Sequence, residues 1–182
     1  MKSIQKKNSF IYLRNKKRIG YAIYGNPKNF PVFYFHGWPG SRFELKNIPL
    51  KKKKCYVVAI ERPGYGLSDP IINFKILDWP KIVIEVANSL NIKKFSVIGV
   101  SGGAPFAMSC AYAIKKNRLK SVAIVCGLAP HNADGMSKGK VGLLLNYGKK
   151  PILSWVLLTF IRYQLLNGKL EKSFIKWKNK IP

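Results

Sequence analysis

The 182-residue sequence predicts an α/β fold built on a mostly parallel β-sheet. Three observations support this: short apolar runs rich in β-branched and aromatic residues, helical patterns between the runs, and glycine-rich segments directly after three of them. Because the runs do not alternate with polar residues, we expect strands that are covered on both faces. The four runs are Val32–Phe35, Tyr56–Ile60, Phe95–Ile98 and Ser121–Cys126.

An antiparallel hairpin is predicted ahead of these strands. Phe10–Leu13 is rich in strand-forming residues, residues 15–17 favour a turn, and residues 19–23 place apolar side chains at strand period. The Gly-Asn-Pro sequence at 25–27 then ends the second strand.

Helices are predicted between the later strands. Asp78 is a suitable N-cap for the first, whose apolar face comprises Ile82, Val83, Val86, Ala87 and Leu90. The second, from Ala104 to Lys116, is apolar almost all round, so we expect it to be buried. After Cys126 the sequence favours helices with lysine-rich connections, and no further strand is predicted.

The net charge of +26, from 33 basic and 7 acidic residues, raises the question of a polyanionic partner. Of the basic residues 27 are lysine and 6 are arginine, and arginine is the residue that binds phosphate bidentately. The lysines are also scattered along the chain. We therefore expect a solvated basic surface and no specific nucleic-acid partner, with contact to a polyanion or an anionic membrane as the alternative.

The three cysteines have spacings that suit neither a metal site nor a disulfide framework. We expect buried thiols in a reducing compartment. Residues 1–10 lack the apolar core of a signal peptide, and the apolar run at 151–161 is too short to span a bilayer. A soluble cytoplasmic protein without a metal ion or cofactor is the expectation.

A G-x-S-x-G pentapeptide, Gly99–Gly103, lies between a predicted strand and a predicted helix. So sharp a turn strains the backbone at Ser101 and lifts its hydroxyl clear of the sheet, which suits a nucleophile. Gly99 and Gly103 are required because side chains there would collide where strand and helix cross. The alternative is a glycine-rich turn with an idle serine.

A second glycine-rich loop, His36–Ser41, follows the first parallel strand. Its position at a strand's carboxyl end lets backbone N–H groups face a ligand. The N–H groups of Trp38 and Gly102 could together form a two-donor oxyanion hole. We expect His36 and Gly37 to hold the loop, with the histidine bonded to backbone and not acting as a base.

A third loop, Glu61–Asp69, follows the next strand and contains proline and glycine. Its Arg62 and its carboxylates suggest an arginine–carboxylate pair. We predict a structural role for Arg62 and Asp69.

Together, H-G-W-P-G-S, E-R-P-G-Y-G-L-S-D and G-V-S-G-G resemble, in order and spacing, the motifs of the α/β-hydrolase superfamily. The resemblance covers about residues 8–130. It implies a mostly parallel sheet with an antiparallel hairpin first, Ser101 as nucleophile, and oxyanion N–H groups from Trp38 and Gly102. A serine there, where related dehalogenases and epoxide hydrolases carry aspartate, implies hydrolysis of a small ester or related acyl substrate. Glu61 departs from the family, which more often has aspartate.

The family's chain order, serine, then acid, then histidine, is not found after Ser101. The later acids are Asp134 and Glu171, and the later histidine, His131, precedes both. Since the last part of the chain looks helical, we expect a core over residues 8–130, a partial helical cap over 131–182, and no C-terminal strands.

We therefore expect the catalytic acid and histidine to be missing from this chain, and a serine without a base is a weak nucleophile. Three interpretations remain. The chain is a truncated or decaying hydrolase with little or no activity, half of a hydrolase completed by a separate chain that supplies Asp and His, or a noncatalytic binding protein that uses the old pocket.

A different class of function is suggested by residues 149–180, where many lysines accompany aromatic side chains. An amphipathic helix at an anionic membrane needs this mixture. The alternative is a cap helix over an acyl pocket. The aromatic residues are Trp155, Phe160, Tyr163, Phe174 and Trp177.

Overall fold

The computed structural model describes residues 8–46, 48 and 54–127, and scattered positions from 129 to 167. The chain divides into two compact units, residues 1–128 and 129–182. In the second unit the described positions 152, 155, 156, 159, 160, 163 and 164 are helical. The boundary expected between residues 130 and 131 stays a prediction. Within the described part of the chain, no helix is long and apolar enough to cross a membrane.

The described part of the first unit contains one six-stranded sheet and two α-helices. The strand order is β1-β2-β4-β3-β5-β6. The helices are α1 (Trp79–Ser89) and α2 (Ala104–Ala113), and single turns of 3-10 helix cover Ile76–Asp78 and Ser101–Gly103. The strands are β1 (Ser9–Tyr12), β2 (Arg18–Gly25), β3 (Pro31–Phe35), β4 (Tyr56–Ile60), β5 (Phe95–Val100) and β6 (Leu119–Val125).

The sheet is parallel except at its first two strands. β1 pairs with β2, and β2 with β4, in antiparallel register. β3 pairs in parallel with β4 and with β5, and β5 with β6. The predicted α/β fold, a mostly parallel sheet with an antiparallel hairpin first, is confirmed.

The direction of strand addition reverses at β3. The chain places β4 on one side of β3 and then, through α1, places β5 on the other. The loop after β3 therefore leads to β4 on one side, and the turn after β5 leads through α2 to β6 on the other. In parallel sheets the carboxyl ends of the strands at such a reversal are where ligands bind.

The core beneath the sheet is built on aromatic side chains from β3, β5 and α1. Phe35 packs edge-to-face on Trp79 with ring centroids 5.2 Å apart, and Phe33 packs on Phe95 at 4.7 Å. All four side chains are fully buried. On α1 the predicted apolar face is buried, with Leu90 partly buried at the helix end.

The expectation that all four parallel strands are covered on both faces is wrong for β6. Ile124 and Val125 are nearly half exposed, and Ala123 and Cys126 are also exposed. In the sheet of the described residues, β6 is the last strand, so it has a neighbour on one side only. A local sequence pattern cannot indicate that position, and the expected burial of Cys126 fails for the same reason.

Smaller differences concern the helices and the hairpin. α2 ends at Ala113 and leaves Met108 and Tyr112 exposed, so it is not buried all round. The Asp78 carboxylate accepts the N–H of Lys75 in the preceding turn and does not cap α1. β2 is buried along nearly its whole length, because it lies between β1 and β4 and is not an edge strand.

Candidate active site

Ser101 lies at the turn between β5 and α2. β5 ends at Val100, one 3-10 turn covers Ser101–Gly103, and α2 begins at Ala104. The φ angle of Ser101 is 49°, in the left-handed region. For a residue with a Cβ this conformation costs about 1–2 kcal/mol. β5 and α2 hold the serine in this conformation at the carboxyl end of β5, where it is partly exposed.

The glycines on either side of the serine allow strand and helix to approach. A Cβ on Gly99 would lie 2.5 Å from the Gly103 carbonyl oxygen and 2.7 Å from the Ala107 Cβ. A Cβ on Gly103 would collide with the Phe35 carbonyl oxygen at the end of β3. The turn after β5 is thus packed directly against both α2 and β3.

The loop after β3 is in contact with this turn. A Cβ on Gly102 would lie 3.4 Å from the Trp38 nitrogen, and a Cβ on Gly37 would lie 3.5 Å from the Ser101 Cβ. The backbone of Trp38 and that of Gly102 are therefore neighbours beside the serine. Two backbone N–H groups next to a hydroxyl are the arrangement that an oxyanion hole requires.

His36 is buried beneath this loop. Its Nδ1 lies 2.9 Å from the Gly37 carbonyl oxygen and 3.2 Å from Arg62 Nη2, and the shorter contact, to a group that can only accept, favours the tautomer with the proton on Nδ1. Nε2 is left to accept the backbone N–H of Arg62 at 3.5 Å. Burial, followed by the nearby Arg62 charge, lowers the pKa of His36. Among the hydrogen bonds of the described residues, none joins this ring to Ser101.

Arg62 connects the loop and the turn. Its Nη1 donates to the carbonyls of His36 and Gly102, each at 2.9 Å, and its Nη2 donates to the Gly37 carbonyl at 2.8 Å. Its guanidinium lies over the Tyr65 ring, 4.8 Å from the centroid, and 5.1 Å from that of Phe106. Burial lowers the pKa of Arg62.

The arginine–carboxylate pair expected within Glu61–Asp69 is wrong, because both carboxylates bind arginines from outside this loop. Glu61 is fully buried and pairs with Arg42 at 2.5 Å. Asp69 pairs with Arg18 at 2.8 Å and also accepts its backbone N–H. The hydrogen bond from the Arg18 side chain lowers the pKa of Asp69. Since the carboxylates are engaged elsewhere, Arg62 binds backbone.

Glu44 and Tyr34 are site residues that the sequence analysis missed. The Glu44 carboxylate accepts the Tyr34 hydroxyl at 2.6 Å and the Gly37 N–H at 3.1 Å. Burial and the Glu44 carboxylate raise the pKa of Tyr34. Glu44 is not part of any of the three motifs, so no sequence signal distinguishes it from an ordinary surface acid.

A cavity of about 290 Å³ opens beside Trp38 and Gly102. Phe74 and Phe106 stack with parallel rings and centroids 6.3 Å apart. The cavity is therefore apolar and aromatic, with one guanidinium in its wall. Its lining consists of Trp38, Arg62, Pro63, Tyr65, Phe74, Gly102 and Phe106.

The acid and base that would complete the site are not among the residues gathered here. His131 and Glu171 lie outside the described residues. Asp134 is described and exposed, in the second unit. Across residues 8–46, 54–127 and the scattered positions beyond, no three His, Cys, Asp or Glu side chains cluster as metal ligands. The parts that lie together in the described residues are the strained Ser101, the neighbouring backbones of Trp38 and Gly102, and an aromatic cavity.

Comparison with known protein families gives a match over more than half of the chain. The family model for the alpha/beta hydrolase fold matches residues 31–149. This range includes the loop after β3, the loop after β4 and the turn at Ser101.

Individual relatives are hydrolases, and the chain spans little more than half of their length or less. It is 28% identical over 158 residues to an uncharacterized hydrolase, YugF, of Bacillus subtilis, covering 85% of this chain and 57% of that protein. It is 32% identical over 100 residues to a soluble epoxide hydrolase of Corynebacterium sp., covering 54% and 34%.

Among solved structures, the epoxide hydrolase CorEH superposes with a TM-score of 0.68 at 24% identity. The match covers 84% of this chain and 55% of that one. At this identity the likeness concerns the fold.

Proposed function

The chain belongs to the α/β-hydrolase-fold family, and we propose that it carries the nucleophile and oxyanion hole of a serine hydrolase for small ester or related acyl substrates. The observation that carries this proposal is the position of Ser101, at φ 49° between β5 and α2, with the backbones of Trp38 and Gly102 beside it. Attack on an acyl carbon creates an oxyanion, and donors held in place at that point stabilise it.

The chemistry of the nucleophile favours acyl transfer over epoxide opening. The epoxide hydrolases that this chain resembles match it in part of their length only. A hydroxyl attacking a carbonyl carbon uses both backbone donors, because they face the oxygen on which charge develops. The aromatic cavity beside Gly102 and Phe106 offers an apolar surface to the acyl or alcohol group.

We further propose that the 182-residue chain by itself is weakly active or inactive. A serine needs a base to take its proton, and the ring nitrogens of His36 are engaged with the loop backbone. A separate chain that supplies Asp and His would complete the triad. A noncatalytic protein that binds ligands in the same cavity would need neither a catalytic acid nor a catalytic histidine. The three free cysteines are consistent with a cytoplasmic location.

Hydrolysis of short p-nitrophenyl esters and labelling by a fluorophosphonate probe test both proposals, with Ser101→Ala as control. We expect turnover lower by several orders of magnitude than that of a complete triad, because without a base only the oxyanion hole contributes and leaves a small residual rate. Addition of a chain that supplies the acid and histidine should restore both signals. Vigorous turnover by the 182-residue chain that is lost in His131→Ala would contradict inactivity. In the completed enzyme, turnover that is as fast in Ser101→Ala as in wild type would contradict the assignment of Ser101 as the nucleophile.

A second candidate function, binding to an anionic membrane surface, is supported by the second unit. Its large apolar residues at the helical positions 152, 155, 156, 160 and 163 are each at least half exposed, at spacings that put them on one helical face. Co-sedimentation with anionic liposomes at low and high salt tests this function. Salt-sensitive binding supports it, whereas a chain that stays in the supernatant at low salt excludes it.

A further inference from the structure

The Arg62 guanidinium donates to carbonyls on both sides of the candidate oxyanion hole. Two of its acceptors, the carbonyls of His36 and Gly37, belong to the loop after β3, and the third, that of Gly102, belongs to the turn at the serine. The spacing between the loop and the turn is therefore held by one rigid planar group. A lysine ammonium also has three donors, but it is a compact group on a flexible chain and does not fix the distance between the loop and the turn as the planar guanidinium does.

One of these acceptors is chemically joined to an oxyanion donor. The Gly37 carbonyl and the Trp38 N–H belong to the same peptide group, which is trans, so they point in opposite directions. Arg62 thus binds the carbonyl side while the N–H side is left for the ligand. A charged donor on a carbonyl polarises the peptide and strengthens its N–H as a donor, by about 10–30% per bond in condensed phase.

The charge of Arg62 is not neutralised by a direct ion pair. In the described part of the chain the two ion pairs are Arg18–Asp69 and Arg42–Glu61. The carboxylate that influences Arg62 is that of Glu44, which accepts the Gly37 N–H and so lies across a peptide group from it. A buried cation without a direct carboxylate partner is costly. Carbonyls and aromatic rings stabilise this one, and its field acts on the peptides it touches.

We propose that Arg62 is a positioning residue of the oxyanion hole, which sets the spacing of the Trp38 and Gly102 donors and polarises the Trp38 N–H through the Gly37 carbonyl. The catalytic part of this proposal rests on the proposed function, while the polarisation is a property of the folded chain. Arg62 itself does not reach the reacting atoms, because it lies on the carbonyl side of the peptide. It acts on an oxyanion through the two backbone donors.

Amide NMR of the full chain tests the polarisation without any hydrolysis. We compare wild type with Arg62→Lys, which retains the charge, and Arg62→Gln, which is neutral but can still donate. The Trp38 amide nitrogen and proton should move upfield in both variants, and further in Arg62→Gln. Arg118→Met is the matched control, because Arg118 donates to the Ile92 carbonyl at the other end of the sheet, and it should leave Trp38 unchanged. Equal shifts in the Lys and Gln variants would overturn the polarisation.

A second measurement needs no substitution. Because its Nη groups are held by three carbonyls, the Arg62 Nη protons of the wild-type chain should give separate, slowly exchanging resonances. A single averaged resonance would overturn the positioning role even if Arg62→Gln does not fold.

Fluorophosphonate labelling of Ser101 in the same variants tests the catalytic part. Loss of a whole oxyanion donor costs about 10²–10³-fold in rate, so weakening of one donor should slow labelling by about ten-fold in Arg62→Gln, with partial recovery in Arg62→Lys. Absence of labelling in wild type agrees with the proposed inactivity of the chain by itself, and the NMR result then decides the role of Arg62. Absence of labelling even after addition of a chain that supplies the acid and histidine would contradict the proposed nucleophile and leave the NMR result unaffected. Labelling at the wild-type rate in both variants would overturn the catalytic part.

Discussion

The backbone of Ser101 stores conformational energy at the point where chemistry is expected. Its left-handed φ is imposed by β5 on one side and α2 on the other, both of which are well packed. Strain of this kind persists only where the surrounding structure determines it. A substitution that relieves the strain should therefore stabilise the fold while it removes the hydroxyl.

Ser101→Gly should be more stable than Ser101→Ala by about 1 kcal/mol, because glycine adopts positive φ without the cost that alanine meets. Denaturant unfolding of both variants measures the difference. The matched pair is Ser109→Gly and Ser109→Ala within α2, where the order should reverse since glycine is a poor helix former. The same order at both positions would contradict strain at Ser101.

The His36 ring makes stability depend on pH. Its pKa in the folded chain is lowered from 6.5 by burial and by Arg62, so below about pH 6.5 the unfolded chain binds a proton that the folded chain does not. The contribution of His36 to the free energy of unfolding should therefore be fully present above this pH. It should decrease as the pH is lowered towards the pKa of the folded chain. Urea unfolding between about pH 5 and 7.5 should show a smaller decline in His36→Gln than in wild type. His131→Gln measures the contribution of the other histidine, and equal declines in wild type and His36→Gln would contradict this prediction.

At the residue scale, the sequence predicts correctly those features that depend on residues nearby in the chain. Ser101 lies between strand and helix, and Gly99 and Gly103 stand where a Cβ would collide, because both requirements arise within a few residues. The acceptors of Arg62 and the contact of Glu44 with Gly37 arise where loops from different strands meet. A local sequence pattern contains no information about contacts between distant loops.

At the scale of elements, the loops after β3 and β4 are joined by a buried ion pair. Glu61 follows β4, accepts the N–H of Leu67 in its own loop, and pairs with Arg42 of the loop after β3. Because the Glu61 side chain is fully buried, its carboxylate depends on these partners for stabilisation. The pair therefore holds together the two loops that carry Trp38, the proposed oxyanion donor, and Arg62.

Glu61→Ala should destabilise the fold by about 3–5 kcal/mol, because it leaves a charge on Arg42 without its carboxylate. Asp69→Asn is the matched control. Because the Arg18–Asp69 pair is solvent-exposed, its removal should lower the free energy of unfolding much less. Thermal or denaturant unfolding compares the two variants. Similar losses in both would show that burial is not what makes the Glu61 pair important.

The elements themselves were predictable from runs of residues, and their surroundings were not. β4 spans the predicted Tyr56–Ile60, whereas α2 is shorter than predicted and exposes Tyr112. A run of apolar residues indicates that a segment prefers to be buried. Whether another element covers it depends on the place of that segment in the sheet.

At the scale of the whole molecule, β6 is an apolar strand at the margin of the described sheet. Its backbone pairs with β5 on one side, and Ile124 and Val125 are nearly half exposed. Exposed strand edges of this composition pair with other chains. We therefore expect the 182-residue chain to self-associate.

Ile124→Lys should reduce this self-association, because a charge on an edge strand opposes pairing with another chain. Sedimentation velocity over a range of concentrations measures the effect. Ile72→Lys adds the same charge at an exposed loop position away from β6 and should change association less. A wild-type chain that stays monomeric at all concentrations would contradict the prediction.

The reversal of strand order at β3 also has a consequence for the time course of folding. β3 and β5 meet through Phe35 and Gly99, and the whole of β4 and α1 lies between them in the chain. Contacts between residues so distant in sequence form slowly, because a long loop must close before they contribute. The loop that carries Trp38 leaves the ribosome well before Ser101 does. The serine and its two backbone donors thus come together late, and we expect early folding intermediates to contain the hairpin and helical segments but no assembled site.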